Sequence, residues 1–158
     1  MGATGRERVE SASAGARETT PARVSRLYSL AALLSLLGLA DAVYLTVEHL
    51  TGRSVRCTVT SGCSEVLASP YATVAGYPLA LLGALAYFTA FSLATLAAFG
   101  SQRAGNLFAV LAALMFATSL WLFYLQAFVL HAFCQYCLLS AAISTLLAGL
   151  AVARRLKK

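Results

Sequence analysis

Charged side chains are scarce in this sequence. They make up only 11% of the 158 residues, while hydrophobic residues make up 59%. Because a soluble domain carries about 25% charged residues, this composition excludes an ordinary soluble fold. Four long stretches are apolar. The first, residues 27–47, contains the single charge Asp41, and the other three contain no Asp, Glu, Lys or Arg at all: residues 78–100, 105–130 and 138–153.

These four stretches are long enough to cross a membrane. A helix rises about 1.5 Å per residue, so about 20 apolar residues span a hydrocarbon core of about 30 Å. The last stretch is short, but it reaches full length if its helix begins near Cys134. We therefore predict an all-α membrane protein, a four-helix transmembrane bundle over residues 27–153 that is surrounded by membrane lipid.

The first span has a rival interpretation as a signal peptide. A basic leader precedes its apolar core, and residues 40–42 (Ala-Asp-Ala) match an A-x-A cleavage site. However, the leader is long, and the hydrophobic sequence continues beyond that site through residue 47. These two features favour an uncleaved first helix.

The basic residues predict the orientation of the bundle, because Lys and Arg concentrate on the cytoplasmic side. The termini are expected in the cytoplasm of a bacterial inner membrane, with a disordered tail over residues 1–26 and a basic tail over residues 154–158. The net charge of +6 is then a topology signal and not a nucleic-acid footprint. Arg53 and Arg56 fall outside, and the other basic residues fall inside: Arg6, Arg8, Arg17, Arg23, Arg26, Arg103, Arg154, Arg155, Lys157 and Lys158.

The connections between the spans differ in length. A loop over residues 50–77 follows the first span, and within it Ser64–Ser69 is predicted to form a short helix on the membrane surface that Pro70 stops. Pro78 suits the first turn of the next helix. Residues 101–104 are predicted to form the tight inner turn, and residues 126–133 the short outer connection.

The topology places all four cysteines on the outer side of the membrane. Cys57 and Cys63 lie in the loop, and Cys134 and Cys137 lie at the start of the last helix. Residues three apart on a helix share a face, and a C-x-x-C at a helix N-terminus has a lowered thiol pKa. Since the outer compartment is oxidising in bacteria, two pairs there indicate thiol–disulfide exchange. An electron acceptor dissolved in lipid would reach the C-x-x-C at the apolar N-terminal end of this last helix.

Two other interpretations of the cysteines remain open, and a third is excluded. Four thiolates are a zinc ligand set, or a site in a metal transporter, although the C-x5-C spacing is wider than usual. Two static disulfides in a membrane scaffold are the second alternative. Haem attachment requires His after C-x-x-C, and Leu138 occupies that position, which excludes it.

Three segments resemble the bacterial branch of the vitamin K epoxide reductase family: "GLADAVYLTVEHLTG", "CTVTSGCSEVLASPYATVAGYPLALLGALAY" and "CQYCLLS". The resemblance implies a four-helix bundle around a quinone, either ubiquinone or menaquinone, with no metal. It implies that Cys57 exchanges with a reduced thioredoxin-like periplasmic protein and that Cys63 relays electrons to Cys134. Cys137 would be the thiolate that contacts the membrane quinone and reduces it. Ser69 would help position the active site, and the short helix, with Leu67, would cap the quinone.

Two departures from the family pattern affect these expectations. Many bacterial members carry a fused thioredoxin-like domain, whereas this chain stops at Lys158, so a separate partner protein is expected. The mammalian branch has a Tyr four residues after the second C-x-x-C cysteine. Ala141 occupies that position here, which favours plain quinone reduction over epoxide reduction.

A few further residues are candidates for the quinone site. Asp41 shares a helix face with Tyr44 and Glu48, and an ionisable residue inside a span is a functional hypothesis, here for supplying protons to the quinol. His131 lies three residues before Cys134, where it would stabilise a thiolate, pass a proton or simply lie at the surface of the interface. An aromatic stripe on the third helix would flank the quinone, pack in the core or anchor the interface, and it consists of Trp121, Tyr124 and Phe128.

Overall fold

The computed structural model describes residues 4–53, 55 and 57–156, with side chains described from residue 24 onward. In this part of the chain, four helices are long and apolar enough to cross a membrane, which confirms the predicted all-α bundle. Their spans are Val24–Leu50, Leu79–Ala98, Gln102–Val129 and Gln135–Arg155. The corresponding helices are α1 (Thr4–Leu50), α3 (Leu79–Ala98), α4 (Gln102–Tyr124) and α5 (Gln135–Arg155). Residues 4–26 of the predicted disordered tail are helical in the structure, as the first part of α1, while residues 1–3 and residues 157 and 158 of the C-terminal tail lie outside the described residues.

The four spanning helices close into a ring. α1 packs beside α3 and α5, and α4 packs beside the same two helices. Small side chains let helix backbones approach closely in a membrane, where lipid removes the usual hydrophobic drive for association. Outward side chains such as Leu33 (61% exposed) and Phe88 (56%) face the bilayer. The interior is dominated by buried alanines: Ala31, Ala42, Ala84, Ala90, Ala94, Ala97, Ala104, Ala109, Ala112 and Ala151.

Tyr87 is a large aromatic side chain in this alanine-rich interior, and it is 1% exposed. Its ring lies directly on Gly38 of α1, where a Cβ atom would collide with the ring. The absence of a side chain at Gly38 therefore makes room for a buried aromatic ring between α1 and α3. This contact sets how closely the two helices pack at mid-membrane depth.

The two ends of the bundle are built differently. We call the end with the connections over residues 51–78 and 130–134 the loop end, and the end with the connection over residues 99–101 the turn end. At the turn end Gly100 adopts a φ of 96°, and Ser101 Oγ accepts the Ala104 N–H at 3.3 Å. Because Ser101 caps α4, this helix already begins at Gln102, and the turn lies earlier than the predicted residues 101–104.

The long connection at the loop end has structure of its own. It contains helix α2 (Cys63–Ala68), a 3-10 turn (Pro70–Ala72), and two short antiparallel strands, β1 (Thr73–Val74) and β2 (Tyr77–Pro78). Thr73 pairs with Pro78, and Val74 pairs with Tyr77. The two residues between the strands, Ala75 and Gly76, both have positive φ values of 52° and 85°, as a two-residue hairpin turn requires.

Helix α2 begins and ends one residue earlier than the predicted Ser64–Ser69. Gly62 is its N-cap, so Cys63 is already helical. Ser69 is extended, with ψ of 154°, because the residue before a proline is disfavoured in the helical region. The predicted stop at Pro70 therefore acts one residue upstream.

The second connection at the loop end is shorter than predicted. After α4 the chain makes a π-helical turn over Leu125–Val129 that continues the span, so only the non-helical residues 130–134 lie between this turn and α5. The π turn is closed by the Leu130 N–H, which donates to Leu125 O at 2.9 Å. Helix α5 begins at Gln135 with Cys134 as its N-cap, in agreement with the predicted start near Cys134.

Candidate functional site

All four cysteines lie in one cluster at the loop end. Cys57 and Cys63 form a disulfide with a Cα–Cα distance of 5.7 Å, while Cys134 and Cys137 are free thiols. The loop folds back over the start of α5, so that both pairs belong to one cluster of packed apolar side chains. Within it, Cys63 is 1% exposed and Cys134 is 0% exposed. Two cysteine pairs that are far apart in sequence therefore meet in one cluster, each with one buried and one partly buried member.

Gly62 lets the loop dock against the residues before α5. A Cβ atom at Gly62 would lie 2.7 Å from Phe133 N and 2.9 Å from the Ala132 Cβ. The backbone immediately before Cys63 therefore contacts the backbone immediately before Cys134. The sequence contains the signal for this contact, a glycine next to Cys63, but only the fold identifies its neighbour.

A glutamine inside the C-x-x-C motif holds the other side of the loop. Gln135 Oε1 accepts the backbone N–H groups of Thr58 at 3.0 Å and Val59 at 2.8 Å, and it lies 3.2 Å from the donating Thr58 hydroxyl. Thr60 Oγ1 donates to Cys57 Sγ at 3.1 Å. The segment that follows Cys57 is thus hydrogen-bonded directly to the first turn of α5.

A second glutamine orients the C-x-x-C itself. Gln126 is 4% exposed, and its Oε1 accepts the Cys134 N–H at 2.9 Å. The backbone carbonyl oxygen of Gln126 accepts the Ala132 N–H at 3.2 Å. Sequence reasoning did not single out either Gln126 or Gln135. The available signal was an amide side chain within or beside an apolar span, where a polar group needs a partner.

The two thiols of the C-x-x-C have different environments. Cys134 is the N-cap of α5, and its sulfur accepts the Cys137 N–H at 3.5 Å. Hydrogen bonding from the Cys137 thiol, assisted by the backbone N–H groups of Cys137 and Tyr136, lowers the pKa of Cys134 to about 7, although burial opposes this. Cys134 is therefore the member of the pair that ionises near neutral pH, as expected for a thiol at a helix N-terminus, whereas the family resemblance implied that Cys137 is the thiolate.

Cys137 faces a cavity that opens between the helices below α2. The cavity has a volume of about 390 Å³ and mostly apolar walls, to which all four spanning helices and α2 contribute. Ligand pockets have volumes of about 300–1,000 Å³, so an aromatic ring with a short apolar tail fits in size and polarity. Cys134, in contrast, is fully buried beside the loop disulfide. One thiol of the pair faces the cavity and the other faces the loop.

A polar stripe continues from Cys137 along α5. Ser140 and Ser144 follow at spacings of three and seven residues, and both line the cavity. The Tyr87 hydroxyl donates to Ser140 O at 2.9 Å, and it lies within hydrogen-bond distance of Ser140 Oγ (2.8 Å) and Ser144 Oγ (3.2 Å). On the α5 side of the cavity, the hydroxyls therefore lie within two turns of the cavity-facing thiol.

The other residues predicted for a quinone site fall into two groups. Leu67 and Ser69 line the cavity, and Ser69 Oγ donates to Val66 O at 2.7 Å at the end of α2. Asp41 does not line it. One carboxylate oxygen of Asp41, Oδ2, is buried and finds no hydrogen-bond partner among the described residues.

The structure places Trp121 and Tyr124 on the outward face of α4. Their rings stack at 5.9 Å, Tyr124 also contacts Phe128 at 5.1 Å, and the indole is 60% exposed. Leu122 and Leu125, one residue further along the helix, line the cavity instead. A helix turns by about 100° per residue, so a shift of one position moves a side chain off the cavity face. The aromatic side chains do contact one another along α4, but they point outward from the bundle and not into the cavity.

Two remaining predictions concern metal binding and His131. The loop cysteines are joined to each other in this redox state, which does not fit a site of four zinc-binding thiolates. His131 is exposed and has a positive φ of 50° in the connection between α4 and α5. It therefore lies where the chain changes direction before Cys134.

Comparisons with known proteins match the part of the chain that builds this site. A model of the vitamin K epoxide reductase family matches residues 29–152. Thiol-disulfide oxidoreductase LTO1 of Arabidopsis thaliana is 32% identical over 113 residues, which cover 66% of this chain and 30% of that protein. The chain therefore spans less than a third of the length of that relative.

Proposed function

This chain belongs to the vitamin K epoxide reductase family, as its motifs predicted, and we propose that it is a quinone-dependent thiol oxidoreductase. It would take two electrons from a separate thioredoxin-like protein and deliver them to a membrane quinone, supporting disulfide formation. The observation that carries the proposal is the shared cluster of two cysteine pairs, in which one thiol lines a cavity of quinone size. The name of the matched relative is consistent with thiol–disulfide chemistry.

The first step occurs at the loop disulfide. Cys57 is half-buried and Cys63 is buried, so a partner thiolate reaches the Cys57 sulfur. Its attack forms a mixed disulfide with Cys57 and releases the Cys63 thiolate. The second thiol of the partner then displaces Cys57, which leaves an oxidised partner and a reduced loop pair.

The second step passes the electrons to α5. The Cys63 thiolate attacks Cys134 in an oxidised Cys134–Cys137 pair, and Cys137 leaves as a thiolate. Cys57 then attacks Cys63 and releases Cys134. The product is an oxidised loop with a free dithiol on α5, which is the redox state of the structure described here.

The third step oxidises the dithiol at the cavity. Cys137 contacts the quinone, and the Cys134 thiolate closes the disulfide with Cys137 as two electrons pass to the quinone. The Cys137 thiol supplies one proton of the quinol, and the second enters from the water at the loop end. Ser140 provides a hydroxyl beside Cys137 that can donate a hydrogen bond to a quinone carbonyl, and Tyr87 holds Ser140 through its own hydroxyl. Leu67 and Ser69 close the cavity from above, and Trp121 and Tyr124 have no role in this scheme.

The proposed setting is a bacterial inner membrane with both termini in the cytoplasm and the loop end outside. Most Lys and Arg residues flank the turn end or the termini, as expected for cytoplasmic segments. A single cysteine introduced at Val59, which is 86% exposed, in a chain lacking its native cysteines tests this orientation. In intact cells, a maleimide that does not cross membranes should label it. Labelling only after lysis would contradict the proposed orientation.

Turnover of the purified protein tests the function. With a short-tailed quinone and a reduced thioredoxin-like substrate, the protein should consume thiols and produce quinol in equal amounts. Cys137→Ala should abolish quinol formation, because the cavity-facing thiol is lost. Sustained quinol formation by this variant would contradict the proposed chemistry.

The alternative of a scaffold with two structural disulfides makes the opposite prediction for trapping. In the proposed enzyme, Cys63→Ala leaves Cys57 as a free thiol, whose thiolate attacks the disulfide of the oxidised partner protein, releases one partner thiolate and stays in a mixed disulfide because no Cys63 remains to displace it. Such a covalent complex should be visible on a non-reducing gel. A scaffold would give no complex, and neither Cys63→Ala nor Cys137→Ala would change the rate of thiol consumption.

A further inference from the structure

Gln135 is positioned to control transfer between the two cysteine pairs. It occupies the first position inside the C-x-x-C, and its side chain leaves α5 to meet a segment 76 and 77 residues earlier in the chain. A single atom, Oε1, accepts the N–H groups of Thr58 and Val59 and the Thr58 hydroxyl. Gln135 is not needed to cap α5, since the sulfur of Cys134 does so.

The position of this contact matters most when the loop disulfide is reduced. In the oxidised loop, a covalent bond joins Cys57 to Cys63 and keeps residues 57–63 compact. Reduction removes that bond. The Cys57 side of the loop is then held to α5 through Thr58 and Val59, and the Cys63 side through the contact of Gly62 with Phe133.

We propose that Gln135 is a positioning residue that holds the reduced loop against the C-x-x-C so that Cys63 meets Cys134. This role rests on the proposed function. It concerns one step: the Cys63–Cys134 bond forms as Cys134–Cys137 breaks, and Cys57 then displaces Cys134 from Cys63. Two electrons move from the loop to α5 within the chain, with no external oxidant. Holding reacting groups in place is a large factor in the rate of such a step.

A single-turnover experiment separates this step from quinone reduction. The fully reduced protein, in detergent, is mixed with a short-tailed quinone, quenched with acid at successive times, alkylated and analysed by mass spectrometry. In the wild type, the Cys134–Cys137 disulfide and quinol should form first. The loop disulfide should follow as electrons pass internally to α5.

Three variants test the role of the acceptor oxygen. Gln135→Leu should leave the first event within about twofold of the wild type and slow loop oxidation by about tenfold or more, because the three hydrogen bonds are lost. Gln135→Glu keeps an acceptor oxygen and should restore loop oxidation to within about threefold. Gln102→Leu is the matched control, since Gln102 accepts from Arg154 at the turn end.

The donor side provides an independent check. Val59→Pro removes the N–H that donates to Gln135 at 2.8 Å, and it should slow loop oxidation in the same direction without slowing quinol formation. Thermal unfolding of each variant shows whether the bundle is intact.

Loop oxidation at the wild-type rate in Gln135→Leu would overturn the assignment of Gln135 as a positioning residue, as would loop oxidation in Gln135→Glu that is as slow as in Gln135→Leu. If the wild type forms no disulfide with quinone, the proposed function fails, and this role fails with it.

Discussion

The loop end and the turn end of the bundle are made from the same apolar helices, yet they differ in what they enclose. At the turn end, residues 99–101 connect α3 to α4, and the interior gap there is only about 10 Å³. At the loop end, residues 51–78 connect α1 to α3, and the cavity is about 390 Å³. A short connection holds neighbouring helices together, whereas a long folded loop lies across the helix ends and leaves space beneath it.

Glutamine side chains link elements at both ends, but to different effect. At the turn end, Arg154 Nη2 donates to Gln102 Oε1 at 2.8 Å, and the Arg154 guanidinium lies 5.3 Å from the centre of the Tyr28 ring. At the loop end, Gln126 and Gln135 bind backbone N–H groups beside cysteines. The turn end therefore joins side chains between helices, while the loop end positions sulfur atoms. Mutations at the two ends should separate stability from chemistry.

Apart from the cysteines themselves, Gly62 should have the largest effect on the chemistry. Gly62→Val places a side chain where Phe133 N would lie 2.7 Å from the Cβ, so the loop is displaced from α5. We expect loop oxidation to slow by about 100-fold or more, because the two cysteine pairs no longer meet. The single-turnover assay measures this rate. Gly149→Val is the matched control, since a Cβ there has no neighbour within 4 Å; equal losses in both variants would contradict the docking role.

The pH dependence of quinone reduction tests the ionisation of Cys134. Its pKa is lowered to about 7, so the thiolate predominates above that pH and is lost below it. The single-turnover rate should rise about tenfold from pH 6 to pH 8 and then level off. Stopped-flow absorbance of the quinol checks this. A rate that continues to rise through pH 9 would show that the thiol keeps its ordinary pKa.

Neighbouring positions on α4 test which face borders the cavity. Leu122 lines it, whereas Trp121 is outside. Leu122→Trp should raise the KM for quinone severalfold by filling the cavity, with little effect on loop oxidation. Trp121→Ala should leave KM within about twofold. A larger effect from Trp121→Ala would return that side chain to the quinone site, as its sequence position first indicated.

The smallest effect on turnover should come from the turn end. A Cβ at Gly105 would collide with Tyr28 and Arg154. Gly105→Leu should lower the free energy of unfolding by about 1–3 kcal/mol through overpacking. The quinone turnover of the folded fraction should nevertheless stay within about twofold. Unfolding in detergent, monitored by circular dichroism, gives the free energy of unfolding. Loss of turnover in fully folded protein would contradict this prediction and show that the turn end affects the chemistry.

Local sequence pattern accounted for the helices better than for the site. The absence of charge over three long stretches predicted the spans, and Cys134 marked the start of α5 to within one residue. Pro70 predicted the end of α2, although its effect falls on Ser69. These features depend on composition and on neighbours along the chain, which a sequence displays directly. The assignment of Trp121 to the cavity did not agree with the structure, because the rotation of α4 depends on which helices flank it.

The sequence by itself determined that this chain forms four apolar helices with two cysteine pairs at one end, since hydrophobic length and topology follow from local composition. Only the tertiary structure decided that Gly62 meets Phe133, that Gln135 binds Thr58 and Val59, and that Cys137 faces the cavity. These contacts join residues about 70 or more positions apart. No local pattern encodes such a partner, because it depends on how the helices pack and where the loop comes to lie.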